Sequence, residues 1–187
     1  MVRFLLNNQL VETTLPPATT LLDFVRYQAN LRGTKIGCRE GDCGTCTVLV
    51  GSLIGNEVGY QSFTSCLTPL ANIAGKHVVT IEGLNMQELN AVQEAMVCHS
   101  GTQCGFCTPG FVVSLCGFAL QTGEEPEFGE AIDAMDGNIC RCTGYKSIER
   151  AAATITAKLQ QKNGTPSLEW LVNQGFVPAY FHTVGER

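Results

Sequence analysis

Basic residues are few in this chain, histidine is scarce, and no long apolar run occurs. The 187 residues carry 12 Lys and Arg against 17 Asp and Glu, a formal net charge of −5, with no basic run. That balance argues against nucleic acid and anionic membrane as partners. No apolar stretch approaches the ~18 residues expected of a membrane-spanning helix. The opening Met1-Val2-Arg3-Phe4-Leu5-Leu6 gives way at once to Asn7, Asn8 and Gln9, so no export leader develops. These absences set the expectation of a cytoplasmic protein, whose thiols stay reduced. The 3 histidines, His77, His99 and His182, lack the paired spacing of a site with two His ligands on one iron. No nucleophile–base arrangement can be assembled, so no catalytic residue is assigned and the chemistry is expected to belong to a cofactor or partner. With 44% hydrophobic and 16% charged residues, the chain can still bury a core.

Cysteine is what the chain has in excess, with 10 residues. In a reducing compartment such a number points to metal binding rather than to a disulfide framework. Eight fall into two sets. The first is Cys38-x4-Cys43-x2-Cys46, closed by Cys66. This is the plant-type ferredoxin spacing for a 2Fe-2S cluster. Gly37, Gly41 and Gly44 let the loop curl with N–H groups turned inward, where they can bond sulfur and tune the potential. The second is Cys104-x2-Cys107, closed by Cys140-x-Cys142. Each of its pairs precedes an expected helix, whose dipole favours thiolate and cluster charge. Zinc is the competing reading for both sets, more so for the second; an inert-thiol reading of the first and a thioredoxin-like pair in the second are weaker. Cys116 reads as a buried small hydrophobe in an apolar helix, and Cys98 as a residue outside both sets. Arg39 and Arg141 flank ligands and can raise potentials or simply face solvent. Asp42 reads as a loop hydrogen-bonding residue.

The hydrophobic pattern changes period along the chain. Val2–Leu6 and Leu10–Leu15 read as strands around an Asn7-Asn8 turn, with Pro16-Pro17 ending the second. Thr20 with Asp23 reads as the start of a helix reaching about Ala29. Cys46–Val50 and His77–Ile81 read as further strands, with 61–65 a weaker one. Strands about one early helix give a small β-grasp domain over 1–83. From 84 to 162 the spacing becomes helical. Asn85 with Glu88 resembles a capping box, Leu89, Val92 and Met96 follow, and Pro109–Gln121 is apolar enough for a buried helix. Phe128, Ile132 and Met135 mark a third helix, and Ile148, Ala152, Ile155 and Leu159 a fourth. The expected fold class is therefore α+β: an N-terminal β-grasp, ferredoxin-like 2Fe-2S domain, then an all-α four-helix 2Fe-2S-binding domain. Residues 162–166 read as a linker and 163–187 as a tail.

Four stretches together resemble the iron–sulfur region of the molybdenum hydroxylases, the xanthine dehydrogenase family. They are GTKIGCREGDCGTCTVLV at 33–50, SCLTPL at 65–70, QCGFCTPG at 103–110 and NICRCTGY at 138–145. The resemblance covers about residues 1 to 160. It implies that electrons from a molybdopterin centre pass singly through the helical-domain cluster, then the β-grasp cluster, to FAD. It assigns Cys104, Cys107, Cys140 and Cys142 to the cluster nearest molybdenum, and Cys38, Cys43, Cys46 and Cys66 to the one nearest FAD. It also implies that Gln103 and Cys142 contact the molybdopterin. The implied partners are a molybdopterin-binding large subunit and an FAD-binding subunit or domain. The stretch 51–63 with GKHVVTIEGL looks more like xanthine dehydrogenases than carbon-monoxide dehydrogenase small subunits, favouring a purine substrate. Relatives oxidising aldehydes, N-heterocycles or carbon monoxide are the first alternative, and a free ferredoxin-like carrier is a rival of another class. The tail, with Trp170, Phe176, Tyr180 and Phe181, resembles a connector toward a flavin domain. Its aromatics are expected to pack on a partner surface.

Overall fold

The computed structural model describes residues 1–55, 57–162 and 164–186. Asn56 of the 51–63 stretch, Asn163 of the expected linker and Arg187 at the end of the tail lie outside the described residues.

The first strands form where the apolar residues alternate. Strand β1 (Val2–Leu6) turns through Asn7, whose φ of +53° suits asparagine, into β2 (Gln9–Thr13). The Thr20 side chain then accepts from the Asp23 N–H at 3.2 Å and starts α1 (Leu21–Asp23). Beyond it the expected helix widens into a π turn, Phe24–Gln28, closed by the Ala29 N–H on the Phe24 carbonyl. Strands β3 (Thr47–Ile54), β4 (Glu57–Thr64) and β5 (His77–Val79) complete a five-stranded sheet in the order β2-β1-β5-β3-β4. Only β1 and β5 run parallel; the other neighbours are antiparallel.

The two-residue period of the strands gives the sheet two buried faces. Phe4, Leu6, Val48, Val50 and Val78 pack on α1 and the π turn, where Phe4 meets Phe24 edge-on at 5.4 Å. Leu49, Tyr60 and Val79 point the other way, into a larger core shared with the helices. The 3-10 turn Leu70–Ile73 seals the first core.

The helical half follows a short α2 (Ile81–Leu84). Its helices are α3 (Ala91–Cys98), α4 (Thr108–Gln121), α5 (Phe128–Met135) and α6 (Lys146–Leu159). The capping box that opens α3 is Asn90 with Gln93, not Asn85 with Glu88. Asn85 instead terminates α2, and Leu89 stays exposed before the cap. Both candidates carry an N-cap residue and a polar residue three positions on. Tertiary contacts decide between them: Asn85 is already used to end α2, while Asn90 is wholly buried with its Nδ2 on the Leu84 carbonyl. Helix α4 is apolar throughout because it lies between the sheet and the other helices, with Phe111, Val113, Leu115 and Cys116 wholly buried.

The tail corrects an expectation. After α7 (Leu168–Asn173), Phe176 and Phe181 are 0% and 2% exposed. They pack on this chain's own core rather than on a partner surface. Phe181 lies between Tyr60 and His77, at ring-centre distances of 5.3 and 5.6 Å. The Tyr180 hydroxyl donates to the Gly83 carbonyl at 3.0 Å, and the Ala91 N–H donates to the Gly175 carbonyl at 2.8 Å. His77 is buried beneath this layer. Its Nε2 lies 2.8 Å from the Asn7 carbonyl and must donate there, so Nδ1 accepts from the Tyr60 hydroxyl at 2.8 Å. Burial pushes both the Tyr60 and Tyr180 phenols well above their ordinary range, so both remain hydrogen-bond donors. Among the described residues no helix is long and apolar enough to cross a membrane.

Candidate iron–sulfur centres

The first cysteine set is built on the loop between the π turn and β3. The loop is tied down at both ends: the Gly33 N–H donates to the Glu82 carboxylate at 2.7 Å, and the Lys35 N–H to the Thr45 carbonyl at 3.1 Å. Arg39, at the crest with φ +61°, is held to Asp23 by a 2.7 Å ion pair. Arg39 holds the Asp23 carboxyl below its ordinary value. Inside the curl, backbone N–H groups point at sulfur. The Cys38 N–H reaches Cys43 Sγ at 3.3 Å, and the Glu40 N–H reaches Cys38 Sγ at 3.3 Å. The Asp42 and Cys43 N–H groups also serve Cys38, and the Gly41 N–H serves Cys66. This is an anion-binding nest. The Thr45 hydroxyl lies 3.3 Å from Cys43 Sγ. As a free thiol Cys38 is drawn down to about 7, chiefly by the Glu40 N–H. Gly37 is required for space: a Cβ there would stand 2.6 Å from Cys43 Sγ.

Cys46 directly precedes β3, and Cys66 returns to it after β4, where the Ser65 hydroxyl donates to the Cys46 carbonyl at 2.7 Å. Both are buried, with Leu22 and Ile36 around them. Burial, then the neighbouring Cys46 thiol, pushes Cys66 up to about 11.

The second set is assembled from two loops of the helical half. Cys107 is the residue that caps α4, as the spacing predicts, with Thr108-Pro109 as the first turn. Cys142 does not directly open α6. Three residues separate it from the first helical residue, Lys146, and Tyr145 before that helix has φ +67°. The Tyr145 ring leans edge-on toward Phe111, and its hydroxyl accepts from the Cys140 N–H at 3.0 Å. The helix dipole is therefore available to Cys107. Cys140 is served instead by local donors: the Thr143 hydroxyl at 3.1 Å and the Thr143 N–H at 3.5 Å. Burial opposes ionisation of Cys140, but these donors prevail and its thiol lies below the ordinary value. Burial pushes Cys107 up to about 12. Cys142 is raised by its neighbour Cys104, whose Sγ is 3.6 Å away.

The sulfurs associate two and two: Cys38 with Cys43, Cys46 with Cys66, Cys104 with Cys142 and Cys107 with Cys140. Among the described residues, no group of three Cys, His, Asp or Glu side chains is gathered for a single metal ion. Paired thiols surrounded by N–H donors fit a 2Fe-2S core, which needs two ligands on each iron. Cys104 and Cys142 are exposed, as is Gln103 beside them. Cys116 is wholly buried, its Sγ 3.8 Å from the Phe176 carbonyl, and Cys98 is exposed at the end of α3. Sequence reasoning missed Thr45, Thr143 and Tyr145. A hydroxyl within three residues of a ligand was the available signal in the first two; the contact between Tyr145 and Cys140 depends on a left-handed backbone that spacing does not reveal.

A family model described as a 2Fe-2S iron-sulfur cluster binding domain matches residues 4–71, and one described as a 2Fe-2S binding domain matches residues 80–153. The chain is 46% identical over 143 residues to a xanthine dehydrogenase of Blastobotrys adeninivorans, covering 75% of this chain and 10% of that protein. It is 40% identical over 151 residues to aldehyde oxidase 1 of Oryctolagus cuniculus, covering 79% and 11% respectively. The chain thus spans about a tenth of the length of these curated relatives. Among solved structures, a chain of quinoline 2-oxidoreductase from Pseudomonas putida 86 is 32% identical with a TM-score of 0.71, and the match covers 87% of this chain and 96% of that one. Two 2Fe-2S-binding domains in this order, matched along nearly the whole of a comparable solved chain, mean that this chain belongs to the iron–sulfur component family of the molybdenum hydroxylases, with the xanthine dehydrogenases and aldehyde oxidases.

Proposed function

We propose that the chain relays electrons singly from a molybdopterin centre to FAD within a larger oxidoreductase. Cys104, Cys107, Cys140 and Cys142 hold the 2Fe-2S cluster on the molybdenum side. Cys38, Cys43, Cys46 and Cys66 hold the one on the flavin side. Bound there, the clusters supply one-electron storage. The protein holds their sulfurs, directs N–H and hydroxyl groups at them, and excludes water from Cys46, Cys66 and Cys140. The observation that carries this reading is the direct connection between the two sets: the Ile139 N–H, next to Cys140, donates to the Cys43 carbonyl at 3.1 Å. A free ferredoxin-like carrier needs no second centre locked to the first.

The domain reading that accompanies it is a β-grasp unit over 1–83, a four-helix unit over 84–162 and a tail over 163–187 leading toward a flavin domain or partner. The molybdopterin subunit is placed over Cys104 and Cys142, with Gln103 and Cys142 as its contacts, because the second set is open there. Phe106 and Ile139, next in sequence to Cys107 and Cys140, are 46% and 49% exposed. The favoured activity of the whole enzyme is purine hydroxylation, in the cytoplasm. The resemblance of the 51–63 stretch with GKHVVTIEGL to xanthine dehydrogenases supports it. Aldehyde, N-heterocycle and carbon-monoxide oxidation are the alternatives.

Metal analysis tests the reading at its root. The purified protein is expected to contain about four irons and four sulfides per chain, with two distinguishable signals on reduction. Stoichiometric zinc without visible absorbance would end the proposal. Two further variants test the tuning. Hydrogen bonds to cluster sulfur stabilise the more negative reduced state and so raise the potential. Thr143→Val is therefore expected to lower the midpoint potential of the second cluster alone, and Thr45→Val that of the first alone. Redox titration followed by electron paramagnetic resonance reads both. A shift of the wrong cluster, or no shift in either variant, would contradict the assignment.

A further inference from the structure

Between the two sulfur sets lies a buried polar side chain that cluster ligation does not require. Asn138 sits two residues before Cys140 and is 4% exposed. Its Nδ2 donates to the Gly44 carbonyl at 2.9 Å and lies 3.4 Å from Thr47 Oγ1; its Oδ1 accepts from the Ser114 hydroxyl at 2.7 Å. Gly44 lies between Cys43 and Cys46, and Ser114 lies on α4, the helix capped by Cys107. One amide thus grips the first cluster loop and α4 while its backbone leads directly into the second cluster loop. Thr47 completes the grip, its hydroxyl donating to the same Gly44 carbonyl at 2.6 Å.

There is little slack at this junction. Gly44 has φ +64°, and a Cβ on it would collide with the Gly137 carbonyl and the Asn138 side chain. A Cβ on Gly110 of α4 would collide with the Gly44 carbonyl oxygen. Backbone from three segments is in close contact around a single primary amide. A buried amide that spans several segments has few alternative arrangements, because each would leave a donor or acceptor unpaired.

We propose that Asn138 is the positioning residue that fixes the separation and orientation of the two clusters, and with them the rate of electron passage between the clusters. This rests on the relay function above and names the residue that sets the geometry of that relay. Ser114 orients the amide, so that Nδ2 rather than Oδ1 faces Gly44. Electron passage depends steeply on how two carriers are placed, so a small loosening at this junction affects rate before it affects cluster binding.

The test uses the complete chain with its natural partners. Both clusters are reduced, and the magnetic interaction between them is read from the splitting of their resonance signals. Passage between the clusters is timed after flash photoreduction. In N138A both clusters are expected to remain, the splitting to change, and passage between them to slow severalfold. S114A, which frees the amide to turn, is expected to shift both readouts in the same direction by less. A lowered melting temperature with wild-type splitting and passage in both variants would reduce Asn138 to structural glue and overturn the proposal. Should N138A lose a cluster, S114A decides by the same two readouts. Wild-type protein lacking iron would overturn the relay itself, a result distinguishable from intact clusters indifferent to Asn138.

Discussion

Cys43→Ala is expected to remove one cluster signal, leave the other reducible by substrate, and stop flavin reduction. The iron content should fall from about four to about two per chain. The asymmetry follows from the layout. Cys43 and Cys38 share the glycine loop, whereas Cys104 and Cys107 lie beyond it in the helical half, and the Ile139 bond to Cys43 involves the Cys43 backbone rather than its sulfur. Losing the Cys43 side chain should therefore leave the Ile139 contact and the second cluster in place. The reciprocal change, Cys104→Ala, should damage the molybdenum-side cluster and slow the exit of electrons from the substrate site. It should leave the flavin-side cluster reducible from the flavin. Rapid-reaction spectroscopy of the two variants, with substrate at one end and reduced flavin at the other, reads the direction. Identical spectral losses in both would contradict two independent sites, and the opposite pattern would reverse the wire.

Removal of the tail after Gly164 is expected to cost the chain its fold, not merely a partner. Phe176, Val177, Phe181 and Leu171 are all buried in the core that joins the sheet to the helices. Truncating one such buried phenylalanine to alanine costs about 3–5 kcal/mol, while a whole domain is stable by only about 5–15 kcal/mol. Deleting four buried side chains removes an amount comparable to that whole margin. It would also expose Tyr60 and His77 and leave the Gly83 and Gly175 contacts unmade. Phe181→Ala is the graded version: a loss of about 3–5 kcal/mol, read as a lower denaturant midpoint, with both clusters retained under native conditions. A truncated chain with the full-length midpoint would show that the tail is dispensable.

The tail also marks where sequence reading stops. An aromatic-rich segment beyond the expected helices could equally cover a partner or its own domain. Residue types cannot separate the two, because both need apolar side chains at the same spacing. The displaced capping box at Asn90 has the same cause. Asn85 with Glu88 satisfies the local pattern as well as Asn90 with Gln93, and only the tertiary setting distinguishes them: Asn85 ends α2, and Asn90 is buried against the Leu84 carbonyl.

By itself, the sequence determined that the chain carries two 2Fe-2S-binding domains, each marked by a cysteine pattern. Ligand type and spacing are local properties, so Cys38-x4-Cys43-x2-Cys46 and the CxxC and CxC pairs could be read without a fold. The same holds for β1, the Thr20 cap and α4, each set by hydrophobic period and end signals within its own segment. Tertiary structure alone decided how the two sites meet. Asn138, Ser114 and Gly44 are separated by up to 94 residues, and their contact arises because α4 packs against the sheet. The Ile139 bond to Cys43, the burial of Phe181 and the exposure of Cys104 and Cys142 have the same origin. Each depends on which surfaces the folded chain brings into contact and which it leaves open, and segments distant in sequence carry no local mark of that choice.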